Sequence, residues 1–160
     1  MTGEGDLRLQ YDIEQLLARY AHCLDDDRLE EWPRFFADSC LYKITSAENQ
    51  RRGLPVGLFF ANTRGMLEDR VSALREANIY EPQRYRHFIA QTVILGRDSA
   101  VARVQSSFQI VRIMQDGRTA LFATGSYLDR IAIAAAPFLF EERLVVCDSD
   151  RIDTLLAIPF

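Results

Sequence analysis

The 160-residue chain is 48% hydrophobic and 26% charged, with a formal net charge of −4, which is the make-up of an ordinary globular core and surface. That excludes a disordered chain, a collagen-like repeat and a disulfide-dense miniprotein, and the length sets the expectation of a single domain over 1–160, with residues 1–6 as a flexible N-terminus. The basic residues form no stripe and the longest apolar run, around Ile131 to Phe140, falls far short of the about 20 residues a membrane span needs, so neither a nucleic-acid nor a membrane partner is expected.

The first predicted element is a helix from about Asp6 to Leu24. Ile13, Leu16, Leu17, Tyr20, Ala21 and Leu24 repeat at i, i+3, i+4, i+7, i+8 and i+11, one stripe at period 3.6, and His22 points away from it. Asp27 and Glu30 have the spacing of a capping box for a short second helix carrying Leu29, Trp32, Phe35 and Phe36, with Pro33 in its first turn. A strand is expected over Cys40 to Thr45, a loop over residues 46 to 55, and another short strand over Gly57 to Ala61. A third helix follows from Asn62 to about Ala77, with Met66, Leu67, Val71 and Leu74 inward and an Arg64–Glu68 surface pair. Residues 78 to 84 read as a loop.

From Tyr85 onward the helical period disappears. Expected strands are Tyr85–Leu95, Ala100–Met114, Arg118–Ile133, Phe138–Asp148 and Arg151–Ile158. Asp116-Gly117 is a hairpin signal. Ala102, Val104, Phe108 and Ile110 face one way, and the apolar set changes face near Val111 and Ile113, as at a bulge or at a strand end covered on both sides. A straight 14-residue strand would be about 45 Å long, so these hairpins must bend. The expected architecture is α+β: helices first, then a curled, mostly antiparallel meander that forms a cone around them.

Three cysteines, Cys23, Cys40 and Cys147, are far apart and lack CxxC spacing, so no disulfide framework or zinc knuckle is implied. A cytoplasmic location is expected, since the acidic start does not read as a secretory signal. Of 19 basic residues only Lys43 is a lysine; the excess of arginine reflects either genomic base composition or planar ion pairs at subunit interfaces. His22 and His87 are the two histidines, too few and too scattered for a facial iron triad or a Rieske cluster. No GxGxxG, P-loop or GxSxG motif is present. Acid–base work in a cone-shaped pocket is the remaining catalytic idea, with Asp26, His87, Tyr42 and Tyr127 as candidates; each also has a plain structural reading. The tetrad Arg84-Tyr85-Arg86-His87 is expected as an ion-pairing hub for Asp69, Glu76 or a neighbouring subunit, or as an anion site. The apolar run Leu155 to Phe160 suggests docking, on the chain's own core or on another subunit.

Three blocks resemble a known family. They are Tyr20-Ala21 … Leu24-Asp25 … Trp32-Pro33 … Phe35-Phe36 … Asp38-Ser39-Cys40 … Tyr42, then Met66 through Glu81 with Arg84 to His87, and Cys147-Asp148-Ser149 … Asp153-Thr154-Leu155 … Pro159. Together they look like the small (β) subunits of bacterial aromatic-ring-hydroxylating dioxygenases, most like those acting on aromatic carboxylates such as terephthalate, anthranilate and benzoate. The resemblance implies the cone-shaped fold of the nuclear-transport-factor-2-like superfamily and a non-catalytic, structural role. It implies a homotrimer within an α3β3 hexamer, in which the large α subunit holds the Rieske [2Fe-2S] cluster and the mononuclear iron. No catalytic, cofactor or metal residue is then expected on this chain. Arg70, Arg75, Arg84, Arg86 and Phe160 are expected at subunit interfaces from their residue type. The alternative is a stand-alone isomerase, dehydratase or cyclase of the same superfamily, with Asp26 or His87 as base.

Overall fold

The computed structural model describes residues 3–55, 57–77, 81–151 and 158–160. In chain order the elements are helix α1 (Glu4–Asp25), a 3-10 turn (Trp32–Phe35), strand β1 (Phe36–Ser46), helix α2 (Ala47–Arg51), strand β2 (Phe59–Thr63), helix α3 (Arg64–Ala77), and strands β3 (Gln83–Arg97), β4 (Val101–Met114), β5 (Thr119–Ala132) and β6 (Leu139–Cys147). The expected strand over Arg151–Ile158 falls mostly outside the described residues.

The sheet order is β2-β1-β6-β5-β4-β3. Every pair is antiparallel except β1 and β6, which run parallel. The meander of β3 to β6 therefore ends beside the first strand, so the sheet is mixed. Helix α1 lies against β3, and α3 rests on β1, β2 and the 3-10 turn. The bulge expected near Val111 is present: Ile110 pairs with Ala123 and Val111 with Leu121, which leaves Phe122 as the extra residue on β5. Gly125 permits a close crossing on the concave side. A Cβ there would lie 2.1 Å from the Val146 carbonyl oxygen and 2.8 Å from the Phe108 ring.

Local differences from the sequence reading have physical causes. Glu4 to Asp6 are helical, and Arg97 holds Asp6 at 2.6 Å, so the N-terminal segment is anchored from Glu4. Asp27 and Glu30 do not form a capping box. Asp27 takes the left-handed conformation (φ 59°) that ends α1, and both carboxylates face Arg75 of α3, leaving only the 3-10 turn to follow. Residues 47–51 are helical because the Ser46 hydroxyl accepts the Asn49 amide at 3.2 Å. Arg64 does not pair with Glu68: it donates to the Phe36 carbonyl and meets Asp38 at 2.5 Å, so α3 is tied to the start of β1.

The concave side is filled with aromatic rings and one ion pair. Tyr20, Trp32, Phe36, Tyr42, Phe108, Tyr127, Phe140 and Phe160 are buried. Arg143 of β6 is buried among them and donates twice to Asp129 of β5, at 2.9 and 2.8 Å. Its guanidinium carbon lies 3.8 Å from the Tyr127 ring centroid, 4.2 Å from that of Phe140 and 4.3 Å from that of Tyr20. Burial works against the charged guanidinium, but the facing Asp129 more than reverses this, and Arg143 holds its proton more tightly than a free arginine. Removing one partner strands a buried charge. Arg143→Met is expected to cost about 3–5 kcal/mol in urea unfolding, and adding Asp129→Leu should recover much of it.

Candidate functional site

The end of α1 delivers Asp25 to strand β3. One Asp25 oxygen lies 2.6 Å from Nδ1 of His87, and the His87 main-chain N–H donates to the other at 2.9 Å. Both side chains are almost fully buried. The carboxylate fixes Nδ1 as the protonated nitrogen and sets the ring orientation, while Nε2 is buried without a partner among the described residues. Among the described residues β3 is an edge strand, so Asp25 also occupies a main-chain donor that no neighbouring strand there satisfies. At the other end of this edge, Gln10 Nε2 donates to the Thr92 carbonyl at 3.0 Å. Between these two ties runs a half-open groove of about 600 Å³, with Leu17, Ala18 and Ala21 of α1 on one wall and the edge of β3 on the other.

The sequence reading placed the acid one residue late. Asp26 is solvent-facing, 3.7 Å from Arg28; Asp25 is the buried carboxylate. At the end of an amphipathic helix, adjacent residues differ by about 100° in direction, so one acid points in and the next points out. Glu30 and Asp27 had no visible partner in the sequence because Arg75 is 45 and 48 positions away.

Tyr42 and Tyr127 are buried, and burial pushes both hydroxyls well above the ordinary tyrosine value. Neither is poised as a base. The Tyr42 hydroxyl instead donates to the Phe160 carbonyl at 3.0 Å and accepts the Phe160 N–H at 3.1 Å. Tyr20 donates to the same carbonyl at 2.5 Å and itself accepts from Trp32 Nε1 at 3.0 Å. The Phe160 ring is fully buried, packed edge-on to Phe122 at 5.6 Å and near Tyr85 and Phe108. Of the two docking modes expected for the apolar end, Phe160 shows the intramolecular one. It fills the concavity in which an acid–base pocket would have lain.

The arginines separate into two groups. Arg75 is engaged within the chain, by Glu30, by Asp27 and by the Asp27 carbonyl, and Arg70 stands over the Phe59 ring at 5.2 Å. Arg84 and Arg86 lie on the outer face of β3. Among the described residues the tetrad's acidic partner is Asp25, 2.6 Å from His87 and 3.9 Å from Arg86, in place of the Asp69 or Glu76 expected. Across the sheet Arg86 pairs with Val111 and then Leu121, and Arg84 with Ile113. Phe88, Val93, Leu95 and Leu121 are each more than half exposed. Gln105, Ser107, Gln109 and Ser126 lie between them, so the middle of this outer face carries no charge. Uncharged centre and arginine rim is the composition of a protein interface.

The three cysteines are buried. Burial pushes the thiol of Cys23 up to about 11 and that of Cys147 up to about 12. No group of three His, Cys, Asp or Glu side chains able to hold a metal comes together among the described residues.

Comparison with known proteins adds a further finding. The family described as the ring hydroxylating beta subunit matches residues 19–154. The beta 1 subunit of the terminal oxygenase component of terephthalate 1,2-dioxygenase from Comamonas sp is 44% identical over 150 residues, 94% of this chain and 97% of that one. The anthranilate 1,2-dioxygenase small subunit from Burkholderia cepacia is 35% identical, covering 96% of each. A crystal structure assigned as the beta subunit of an aromatic-ring-hydroxylating dioxygenase from Novosphingobium aromaticivorans DSM 12444 superposes with a TM-score of 0.90 at 37% identity, covering 98% of this chain and 100% of that one.

Two outcomes follow from the geometry. The Arg75 hydrogen bond holds the Glu30 carboxyl below its ordinary value, so the folded state binds that proton less readily than the unfolded state. This contribution to stability is present at neutral pH and is lost as the pH falls below about 4.3. Arg75→Ala should lower thermal stability at neutral pH and flatten that acid limb in denaturation scans. A thiol reagent at about pH 8 should label none of the three cysteines in the native chain and all three after unfolding.

Proposed function

This chain belongs to the ring-hydroxylating dioxygenase β-subunit family, and from that membership we propose that it is a structural, non-catalytic subunit. As a small subunit of an oxidoreductase complex it partners a large α subunit. In this proposal it forms a homotrimer that supports three α subunits as an α3β3 hexamer in the degradation of an aromatic carboxylate. The substrate class follows the names of its relatives, which act on terephthalate and anthranilate.

The carrying observation is the outer face of β3, β4 and β5. Four large apolar side chains stand more than half exposed there around an uncharged centre. A soluble monomer seldom exposes such a contiguous patch, whereas obligate interfaces bury above about 2,000 Å² of similar composition. Arg84 and Arg86 border the patch and are proposed as its rim contacts, with Arg70 on α3 as a further one. Arg75 and Phe160 would support assembly indirectly, by fixing α3 and the concave core.

The residues of this chain do not fit the iron groups of such an enzyme. A Rieske cluster needs two cysteines and two histidines at one point. Cys23, Cys40 and Cys147 lie on three different elements, and His87 already gives Nδ1 to Asp25. The cluster and the mononuclear iron are accordingly assigned to the α subunit. The rival reading, an independent isomerase, dehydratase or cyclase, draws support from the buried Asp25–His87 pair. Against it, the Asp25 carboxylate is committed to the ring and main chain of His87, and Phe160 occupies the cone.

Light scattering on the purified chain should report a trimer, and co-expression with the large subunit should yield a hexamer. The double variant Val93→Asp, Leu121→Asp should dissociate the trimer without altering its circular dichroism. A monomeric wild-type chain at micromolar concentration would refute the proposal.

A further inference from the structure

Beyond Leu95 the outer face of the sheet carries a charge pattern that sheets ordinarily avoid. Arg103 of β4 and Arg130 of β5 are direct cross-strand partners, both exposed at outward positions of their strands. Like charges opposite one another on one face destabilise a strand pair. On its other side Arg103 pairs with Gly96 of β3. Its guanidinium lies across that glycine: a Cβ at position 96 would stand 2.7 Å from Arg103 Nη2 and 3.5 Å from its Cζ. The missing side chain is what lets Arg103 lean over β3. Gly96, Arg97, Asp98, Val101, Arg103 and Arg130 together line a half-open cavity of about 220 Å³ at the β3–β4 turn. Carboxylates answer only part of its charge. Arg97 meets Asp6 at 2.6 Å and Arg130 reaches Glu141 at 3.7 Å, whereas Arg103 has no acidic partner among the described residues. Asp98, the acid in the wall, gives its Oδ1 to the Ala100 and Val101 N–H groups at 2.7 and 2.8 Å, which closes the turn.

We propose that this cavity binds a phosphate-type dianion, free or as the phosphoryl group of a small ester, between Arg103 and Arg130. The two guanidinium groups supply two positive charges and planar forks of N–H donors, which match the oxygens of such an anion. An anion placed there turns the repulsion of the cross-strand pair into attraction to a shared partner. The lining residues include no aromatic ring, and Val101 is their one apolar side chain. The site therefore suits a compact charged group and not an aromatic acid. It lies at the opposite end of β4 from the residues that pair with Arg84 and Arg86, and it does not rest on the subunit's role in assembly.

The test is calorimetric titration of the full chain with inorganic phosphate, glycerol 3-phosphate and benzoate at constant ionic strength. A pH of about 8 keeps the phosphoryl groups dianionic. The expected result is saturable binding of the phosphate compounds at one site per chain, with a melting temperature that rises with their concentration, and no saturable binding of benzoate. Tighter binding of inorganic phosphate assigns the site to the free anion and tighter binding of glycerol 3-phosphate to an ester; either supports it. Arg103→Gln and Arg130→Gln should each weaken phosphate binding about tenfold. Gly96→Ala separates a shaped site from a diffuse positive patch. It leaves the net charge unchanged, and its Cβ meets the far end of a flexible side chain, so the circular dichroism should not change. By displacing the Arg103 guanidinium it should still weaken phosphate about tenfold. Arg118→Gln, which removes an exposed arginine at another turn, should bind phosphate as the wild type does. Absence of saturable phosphate binding, benzoate binding as tight as phosphate, or wild-type affinity in Arg103→Gln or Gly96→Ala overturns the proposal.

Discussion

Arg143 keeps its charge in the interior because Asp129 faces it across the β5–β6 pairing with two parallel hydrogen bonds. A buried pair of this kind adds little net stability over an apolar packing of the same volume, because desolvation offsets the attraction. Its consequence is specificity. The guanidinium plane needs rings on its faces, and Tyr20 of α1, Tyr127 of β5 and Phe140 of β6 supply them. A one-residue slip of β6 against β5 would turn Arg143 outward and leave Asp129 buried alone. The pair thus fixes the register of the two strands on which the curvature of the cone rests, and it fixes where α1 sits above them.

The placement of α1 in turn determines what happens at the free edge of the sheet. Strand β3 is 15 residues long and among the described residues has no neighbour on its outer side, the arrangement most prone to pairing with another chain. Asp25 covers one of its main-chain donors and Gln10 one of its acceptors, and the positive φ at Gln91 interrupts the edge between them. Asp25 thus clasps the end of the helix to the strand through the ring and main chain of His87. By the same arrangement the described edge is partly occupied, whereas Phe88, Val93, Leu95 and Leu121 on the outer face stand more than half exposed.

Much of this was legible in the sequence where the periodicity was clean. The helical stripe of Ile13 to Leu24 and the alternation of Ala102 to Ile110 identify their elements directly, and the change of face at Val111 marks the bulge. Asp129 and Arg143 sit at inward positions of two alternating strands 14 residues apart, so a paired polar couple in the core could have been inferred from pattern and hairpin length together. What the sequence did not show were contacts set by the third dimension alone. Arg75 reaches Asp27 and Glu30 only after α3 has packed against the 3-10 turn. Asp25 differs from Asp26 only in the angle at which each leaves the last turn of α1. The parallel pairing of β6 with β1 is a closure event that no local signal encodes.

Filling the cone with Phe160 decides what the concave side of the sheet is. A concave sheet lined by Tyr20, Tyr42, Tyr85 and Phe108 is an apolar chamber with hydroxyl donors, and left open it would be a solvent-accessible site beside a buried Asp–His pair. Occupied by a segment of its own chain, the same chamber becomes core. The tyrosine hydroxyls, which would be costly to bury unbonded, are satisfied by the Phe160 main chain. The hydroxyls are thus kept satisfied while their accessibility is removed. In physical terms the closure of the concavity here rests on a single aromatic residue held by two hydroxyls.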